Sequence, residues 1–349
     1  MYFRPFTKAP DKIIDNGKAN FGTFSDITQK LSIKGMKAPY AGIPFPPFIT
    51  NLRIKSHINY IFSLEKYIGI VDIYDFKIFS LVEIIFWNKK TGKKTAYHSY
   101  MGPRYRSIPN KSSRGISGCY KRKRFVKLTW SGMHQHHSLS LKLKGDSARS
   151  NCDGFIYSNI ADDFHRDMLF VNPAPTSSRC SATWICTMKV NGHLRFDESS
   201  EDSSGIAAML LNRTYYKLVA STNRAWGIGS VNNKNIIFHM DCSTLDAADP
   251  DKYNNNVLIV DGKETALPSV VMTHPFGISK KWVIQDTESM VDLTFTPSSI
   301  HARNLNIIIL HKRGKSIYGT FEGVLMDSEG NKITLKNFPG IISGNSIRL

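Results

Sequence analysis

The sequence has no apolar run near the roughly twenty residues that a membrane helix needs. Its longest candidates, Ile58–Phe62 and Ile78–Trp87, are interrupted or bounded by polar residues and read as strands. The opening residues, MYFRPFTKAPDK, lack the apolar segment of a secretory signal, so an intracellular, cytoplasmic location is the expectation. Cysteine is sparse: Cys119, Cys152, Cys180, Cys186 and Cys242 make an odd set of 5 with no CxxC pair. That argues against a disulfide framework or a zinc knuckle and for free thiols in a reducing compartment. There is no GxSxG elbow and no HExxH, and Gly227-Ile228-Gly229 lacks the Lys-Ser/Thr ending of a phosphate loop. No cofactor, resident metal or catalytic residue is expected from motifs.

Acidic residues are also scarce, and unevenly so. Net charge is +18, from 46 Lys/Arg against 28 Asp/Glu. Residues 1–183 hold 29 basic and 12 acidic groups, residues 184–349 hold 17 and 16, so the excess belongs to the first half. Residues 101–150 carry 12 basic groups and a single acid, Asp146.

What is present is short alternation. In Val291–Pro297, Val291, Leu293 and Phe295 point one way and Asp292, Thr294 and Thr296 the other, the period of a half-buried strand that Pro297 should end. Asp327-Ser328-Glu329-Gly330-Asn331 reads as a hairpin turn, as do Asn191-Gly192 and Asp261-Gly262. Leu52–Ile58, Tyr60–Glu65, Tyr67–Ile73 and Phe76–Asn88 read as strands. Tyr120–Trp130 with His137–Lys144 reads as a hairpin, and Asp197–Gly205 as a polar loop. Residues 1–50 are proline-rich and predict an extended arm with one short helix near Ser25–Leu31. Ile206–Ala220 alone has a helical alternative, because AAMLL favours helix. Many short strands without strand–helix alternation predict an all-β sandwich or barrel.

Several of these motifs carry a resemblance. The Asn-rich loop and VDG turn (Asn254, Asn255, Asn256, Asp261, Gly262), the Lys281–Ile284 strand, VDLTFTP at Val291–Pro297 and the stretch Gly319–Gly340 resemble an uncharacterised family allied to the carotenoid 1,2-hydratase and AttH-like group. The resemblance is best from Trp184 to the end and extends upstream to Asn59–Lys93. It implies two consecutive lipocalin-like antiparallel β-barrels of calycin type, placed at 1–183, with the arm, and at 184–349. Of the family's central signature, Arg213, Tyr216, Asn223, Ala225 and Asn256 match. Its glycines, its tryptophans and an acid are replaced, with Trp226 nearby. These departures fall on polar pocket positions, so the expectation leans away from catalysis.

The candidate chemistry follows. A lipocalin-like barrel takes an apolar ligand oriented by a few polar groups. The expected lining is Arg213, Tyr216, Asn223, Trp226, Asn256 and Trp282, with Arg213 suited to a carboxylate or phosphate. The alternative is that the aromatics are core and Arg213 is a structural ion pair. A hydratase needs an acid and a base. Asp241 and Asp246 stand near the VDG turn, where turn or surface carboxylates are the ordinary reading. His134, His136 and His137 have two-ligand spacing and no evident third ligand, which favours a solvated turn; His239 and His274 read as core or edge histidines. Lys121, Arg122, Lys123 and Arg124, with Arg104 and Arg106, form an anion-binding candidate interleaved with aromatics. On one strand they would alternate faces. Three functions remain open. The first is a binding protein for a hydrophobic or amphiphilic small molecule, with its basic first domain meeting an anionic surface or nucleic acid. The others are a hydratase or isomerase on a lipid-like substrate, and a structural part of a large, RNA-containing assembly.

Overall fold

Antiparallel strands make up nearly all of the regular secondary structure in the computed structural model, which describes residues 2–40, 45–102, 108–131, 136–159, 162–197, 199–307 and 310–348. Among these the only α-helix is Pro47–Leu52, started by a proline whose fixed φ suits the first turn.

Apart from a short ribbon in the arm, where Ile14–Asp15 pairs with Lys18–Ala19, the strands form two curled sheets. In the first, hydrogen-bonded neighbours run Lys94–Met101, Ser80–Asn88, Tyr67–Asp75, Ile54–Ser63, Ser199–Tyr215, Cys180–Phe196, Cys152–Asn159, His136–Leu143, Arg124–Ser131 and Arg114–Lys121. The strand Arg166–Pro173 pairs with the first half of Cys180–Phe196 and carries the arm strand Gly22–Phe24 on its other side. The end strands meet: Lys121 donates to the Tyr100 carbonyl, and the Arg124 guanidinium lies 5.4 Å from the centre of the Tyr97 ring. The result is a nearly closed barrel. The second sheet runs Lys263–Ala266, Val257–Val260, Lys234–Ser243, Val219–Val231, Lys332–Arg348, Leu310–Met326, Val291–Ile307, Trp282–Gln285 and Val271–Thr273, and forms a half-barrel. The expected all-β pair of lipocalin-like barrels is therefore the fold. The chain changes sheet between Tyr215 and Val219, and the position 183/184 lies inside the strand Cys180–Phe196.

Several local expectations give way to tertiary context. Residues 25–31 hold no helix and instead lie along the first barrel, with Leu31 buried. AAMLL is strand, because Ile206–Tyr215 pairs in register with Ile54–Ser63. Asn191-Gly192 does not turn: it continues a 17-residue strand, and Gly192 makes room for Leu64, whose methyl would lie 2.7 Å from an added Cβ. The polar residues at 199–205 form the outer end of Ser199–Tyr215. Val291–Ile307 runs through Pro297 with a register shift at Pro297/Ser299, a bulge that accommodates the missing N–H. The VDG turn holds, with Asp261 at φ 47 and Gly262 at φ 81, as does the 327–331 turn, where Asp327 accepts from Glu329 and Asn331.

Alternation then sorts the side chains. Along Ile54–Ser63, Ile58, Tyr60 and Phe62 fill the first barrel, together with Trp130 and Trp184. Ile61, on the opposite face, joins Trp87, Phe170 and Leu210 in an apolar layer with Trp226, Ile228, Ile237 and Ile341 of the second sheet. The barrels thus pack wall to wall, which explains why these strands read as near-continuous apolar runs. At about 25 cal/mol per Å² of apolar surface, such a layer holds the barrels as one body.

Candidate functional site

Beyond that apolar layer, the inter-barrel face turns polar and opens as a cleft. His57 and Tyr74 of the first barrel line it, with Arg224, Asp241 and Asp246 of the second and Tyr216 from the linking segment. It has room for roughly five water molecules.

Strand register places the first group. His57 pairs with Tyr74 and Asn59 with Asp72, so His57, Asn59 and Asp72 share the outward face. The Asp72 carboxylate accepts at 2.7 Å from both His57 Nε2 and Asn59 Nδ2. The His57 ring stacks on Tyr74 at 4.0 Å. A proton on Nε2, held by Asp72, leaves Nδ1 as the acceptor, and the Arg224 guanidinium lies 3.4 Å from it. Burial lowers His57 to about 4 although Asp72 works against it, so the imidazole is neutral at pH 7.

The second group comes from the neighbouring strands Val219–Val231 and Lys234–Ser243. Arg224 stands directly opposite Asp241 in that ladder. The chain then turns back, and Asp246 accepts from the Ser243 N–H at 2.7 Å. Asp241 is held by Asn255 at 3.0 Å, while the Asn256 carboxamide accepts from the Asp241 backbone N–H at 2.9 Å. Burial, and next the Asp241 charge, raise the Asp246 carboxyl to about 7. Two carboxyls and a neutral imidazole thus face one cleft, with a guanidinium beside the ring.

The residues singled out in the sequence occupy several places. Tyr216 lines this cleft, and burial raises its phenol. Arg213 donates to Ser56 Oγ at 2.9 Å and to the carbonyls of Ile108 and Pro109 at 3.0 and 2.8 Å, tying that segment to the barrel; burial lowers its guanidinium to about 10. Trp226 is fully buried between the barrels against His239. Asn256 bonds Pro268 and Asp241 and is fully buried. Asn223 and Trp282 line a separate cavity in the second barrel. Among the basic candidates, Arg122 and Lys123 form the turn between Arg114–Lys121 and Arg124–Ser131 in place of the expected alternation on one strand. Lys121 and Arg124 staple the barrel seam. Arg104, Arg106 and His134 lie outside the described residues. His137 is buried beside Trp184 and His165, and burial lowers it to about 4; no cluster of three metal-ligating side chains occurs among the described residues.

Sequence reasoning named Asp241 and Asp246 but passed over His57, Asp72 and Arg224. The available signal was a polar side chain inside an otherwise apolar strand, as in Ser56-His57-Ile58-Asn59 and Val71-Asp72-Ile73.

The chain belongs to the family described as Domain of unknown function (DUF2804), which it matches over residues 6–348. No curated protein gives a significant sequence match. Among solved structures, CghA with Sch210972 is 10% identical, with 93% of this chain and 97% of that one covered and a TM-score of 0.49. A putative AttH from Nitrosomonas europaea is 8% identical, with coverage of 90% and 99% and a TM-score of 0.48. Kievitone hydratase from Nectria haematococca is 9% identical, with coverage of 84% and 88% and a TM-score of 0.41. No helix among the described residues of this DUF2804 chain is long and apolar enough to cross a membrane.

Proposed function

We propose that the inter-barrel cleft is an acid–base site that adds water to, or removes it from, a carbon–carbon double bond in an oxygen-bearing substrate. The observation that supports this reading is the convergence of the Asp241/Asp246 carboxyls and the Asp72-held His57 on one cleft, with Arg224 between His57 and Asp241. An alkene hydration needs a proton donor on one side and a base for water on the other. Asp246 donates its carboxyl proton to one alkene carbon. Water bonds to the other carbon as the π bond breaks, and its proton passes to His57 Nδ1. Asp72 stabilises the imidazolium that forms, and that proton returns to Asp246 through solvent. Arg224 binds a substrate oxygen, which frees Nδ1 and stabilises negative charge developing on that oxygen. The cleft's asparagine, threonine and serine lining favours an oxygenated substrate over a wholly apolar one.

The test is incorporation of ¹⁸O from labelled water into a panel of α,β-unsaturated ketones and acids and their β-hydroxy counterparts, read by mass spectrometry. The expected result is incorporation into at least one pair, abolished in both Asp246→Asn and His57→Gln. Incorporation that survives both substitutions, or its absence across the panel with correctly folded protein, sinks the reading.

A further inference from the structure

The second barrel has a cavity that this chemistry does not use. Alternation along Leu310–Met326 separates two sets of side chains. Lys312, Ser316 and Tyr318 are buried toward the first barrel, whereas Arg313, Lys315 and Ile317 line the second barrel's interior. The cavity is apolar at Ile278, Trp282 and Ile317, and its empty volume, open mouth included, is about 700 Å³. The Trp282 indole N–H already donates to the Ile278 carbonyl at 3.1 Å, and the buried ring, packed against His274 at 4.3 Å, borders the cavity with no polar group left to satisfy. Among the described residues, no carboxylate lines the cavity. Arg313 and Lys315 are both exposed, and among the described residues neither makes an ion pair. Two cations two residues apart on one face of a strand repel each other, an arrangement that an anion relieves.

We propose that the second-barrel lumen binds a free alkyl carboxylate, with its chain against Trp282, Ile278 and Ile317 and its head on Arg313 and Lys315. An apolar floor with a cationic mouth matches an amphiphilic anion on both counts: area removed from water drives the chain in, and a charged pair at the rim fixes its direction. A lipid headgroup carries the same charge but arrives in a bilayer, a source that vesicles distinguish from a free carboxylate. Among the described residues only Asn345 borders both this cavity and the inter-barrel cleft, so the two sites stand or fall separately.

The test is calorimetric titration of the full chain with octanoate, decanoate and dodecanoate below their micellar concentrations. Decanol, decyltrimethylammonium and anionic phospholipid vesicles serve as comparisons. Affinity should rise about fourfold per methylene, as expected for chain burial. Arg313→Gln/Lys315→Gln, two exposed positions, should weaken decanoate at least tenfold and leave decanol unchanged. Ile278→Asp, half-buried and so compatible with folding, should abolish decanoate binding, with a thermal melt verifying the fold. Equal binding of decanoate and decyltrimethylammonium, an unchanged affinity in the double variant, or binding to vesicles without binding to monomeric dodecanoate would each overturn the proposal.

Discussion

Lys312 of the second barrel places its ammonium 3.7 Å from the centre of the Tyr74 ring of the first. The same ring carries His57 at 4.0 Å, so one tyrosine links the candidate base to the second barrel's buried cation. Burial lowers Lys312, opposed by the nearby Glu83 and Asp72 carboxylates. Glu83 in turn accepts from His301 at 3.1 Å and from Arg303 at 3.2 Å. The barrels are therefore joined by an apolar layer at one end and a buried ionic cluster at the other.

That cluster makes stability depend on acid. Burial alone would raise Glu83, but the His301 hydrogen bond and the Lys312 and Arg303 charges outweigh it and hold the carboxyl at about 2. A carboxylate depressed from its ordinary 4.5 contributes stability above that value and loses it as pH falls toward 2. The shift corresponds to about 3 kcal/mol. Glu83→Gln leaves the buried Lys312 and the half-buried Arg303 without that carboxylate and should cost about 3–5 kcal/mol at pH 7. Urea unfolding at pH 7 and pH 3 checks this. The penalty should shrink at pH 3, and an equal penalty at both values would place the cause in packing.

Asp246 has the opposite sign. Its folded carboxyl, raised to about 7, binds a proton more tightly than the unfolded one, so this group loses stability as pH rises from about 4 to 7. Asp246→Asn should melt higher than the parent at pH 8, with the difference closing toward pH 4. The same substitution should lower turnover at least a hundredfold if Asp246 is the proton donor. The parent's kcat/KM should fall below about 4, where His57 gains a proton, and above about 7, where Asp246 loses one. A pH-independent rate between 5 and 9 would remove Asp246 from the chemistry.

Trp226 separates a binding role from a packing one. Its side chain is fully buried in the layer between the barrels, with the His239 ring tilted against it at 4.4 Å. Trp226→Ala should cost about 3–5 kcal/mol, the range for emptying a core aromatic position. In calorimetry, decanoate affinity measured on the folded fraction should stay unchanged. A selective loss of ligand affinity without loss of stability would return Trp226 to the lining of a site.

These cases show what the residues reveal on their own. Alternation and turn chemistry are local, so Val291–Phe295, Asp261-Gly262 and the 327–331 turn are legible directly. Gly192 is not, because its role is to admit Leu64, which follows the strand Ile54–Ser63 more than a hundred residues earlier. Pro297 reads as a stop because a bulge needs a partner strand to define it. The site is harder still: Asp241 and Asp246 look like turn carboxylates until Arg224 is set opposite Asp241 and His57 is brought across from the other barrel. Arg213 matches the family signature, yet its donors are spent on Ser56 and the 108–109 carbonyls.

The VDG turn supplies the last prediction. Gly262 has φ 81, and a Cβ built there would lie 2.2 Å from the Asp163 carbonyl oxygen of the first barrel. The second barrel's hairpin thus rests its tip on the first barrel's backbone, at a distance only glycine permits. Gly277 has φ 94 with nothing within 4 Å, so it carries the dihedral cost alone. Gly277→Ala should therefore cost about 1 kcal/mol and Gly262→Ala about 3 kcal/mol, the excess coming from the displaced backbone. Urea midpoints of the two variants measure the difference. Equal midpoints would mean that the hairpin moves away freely, and that the apolar layer and the Glu83 cluster hold the barrels together without it.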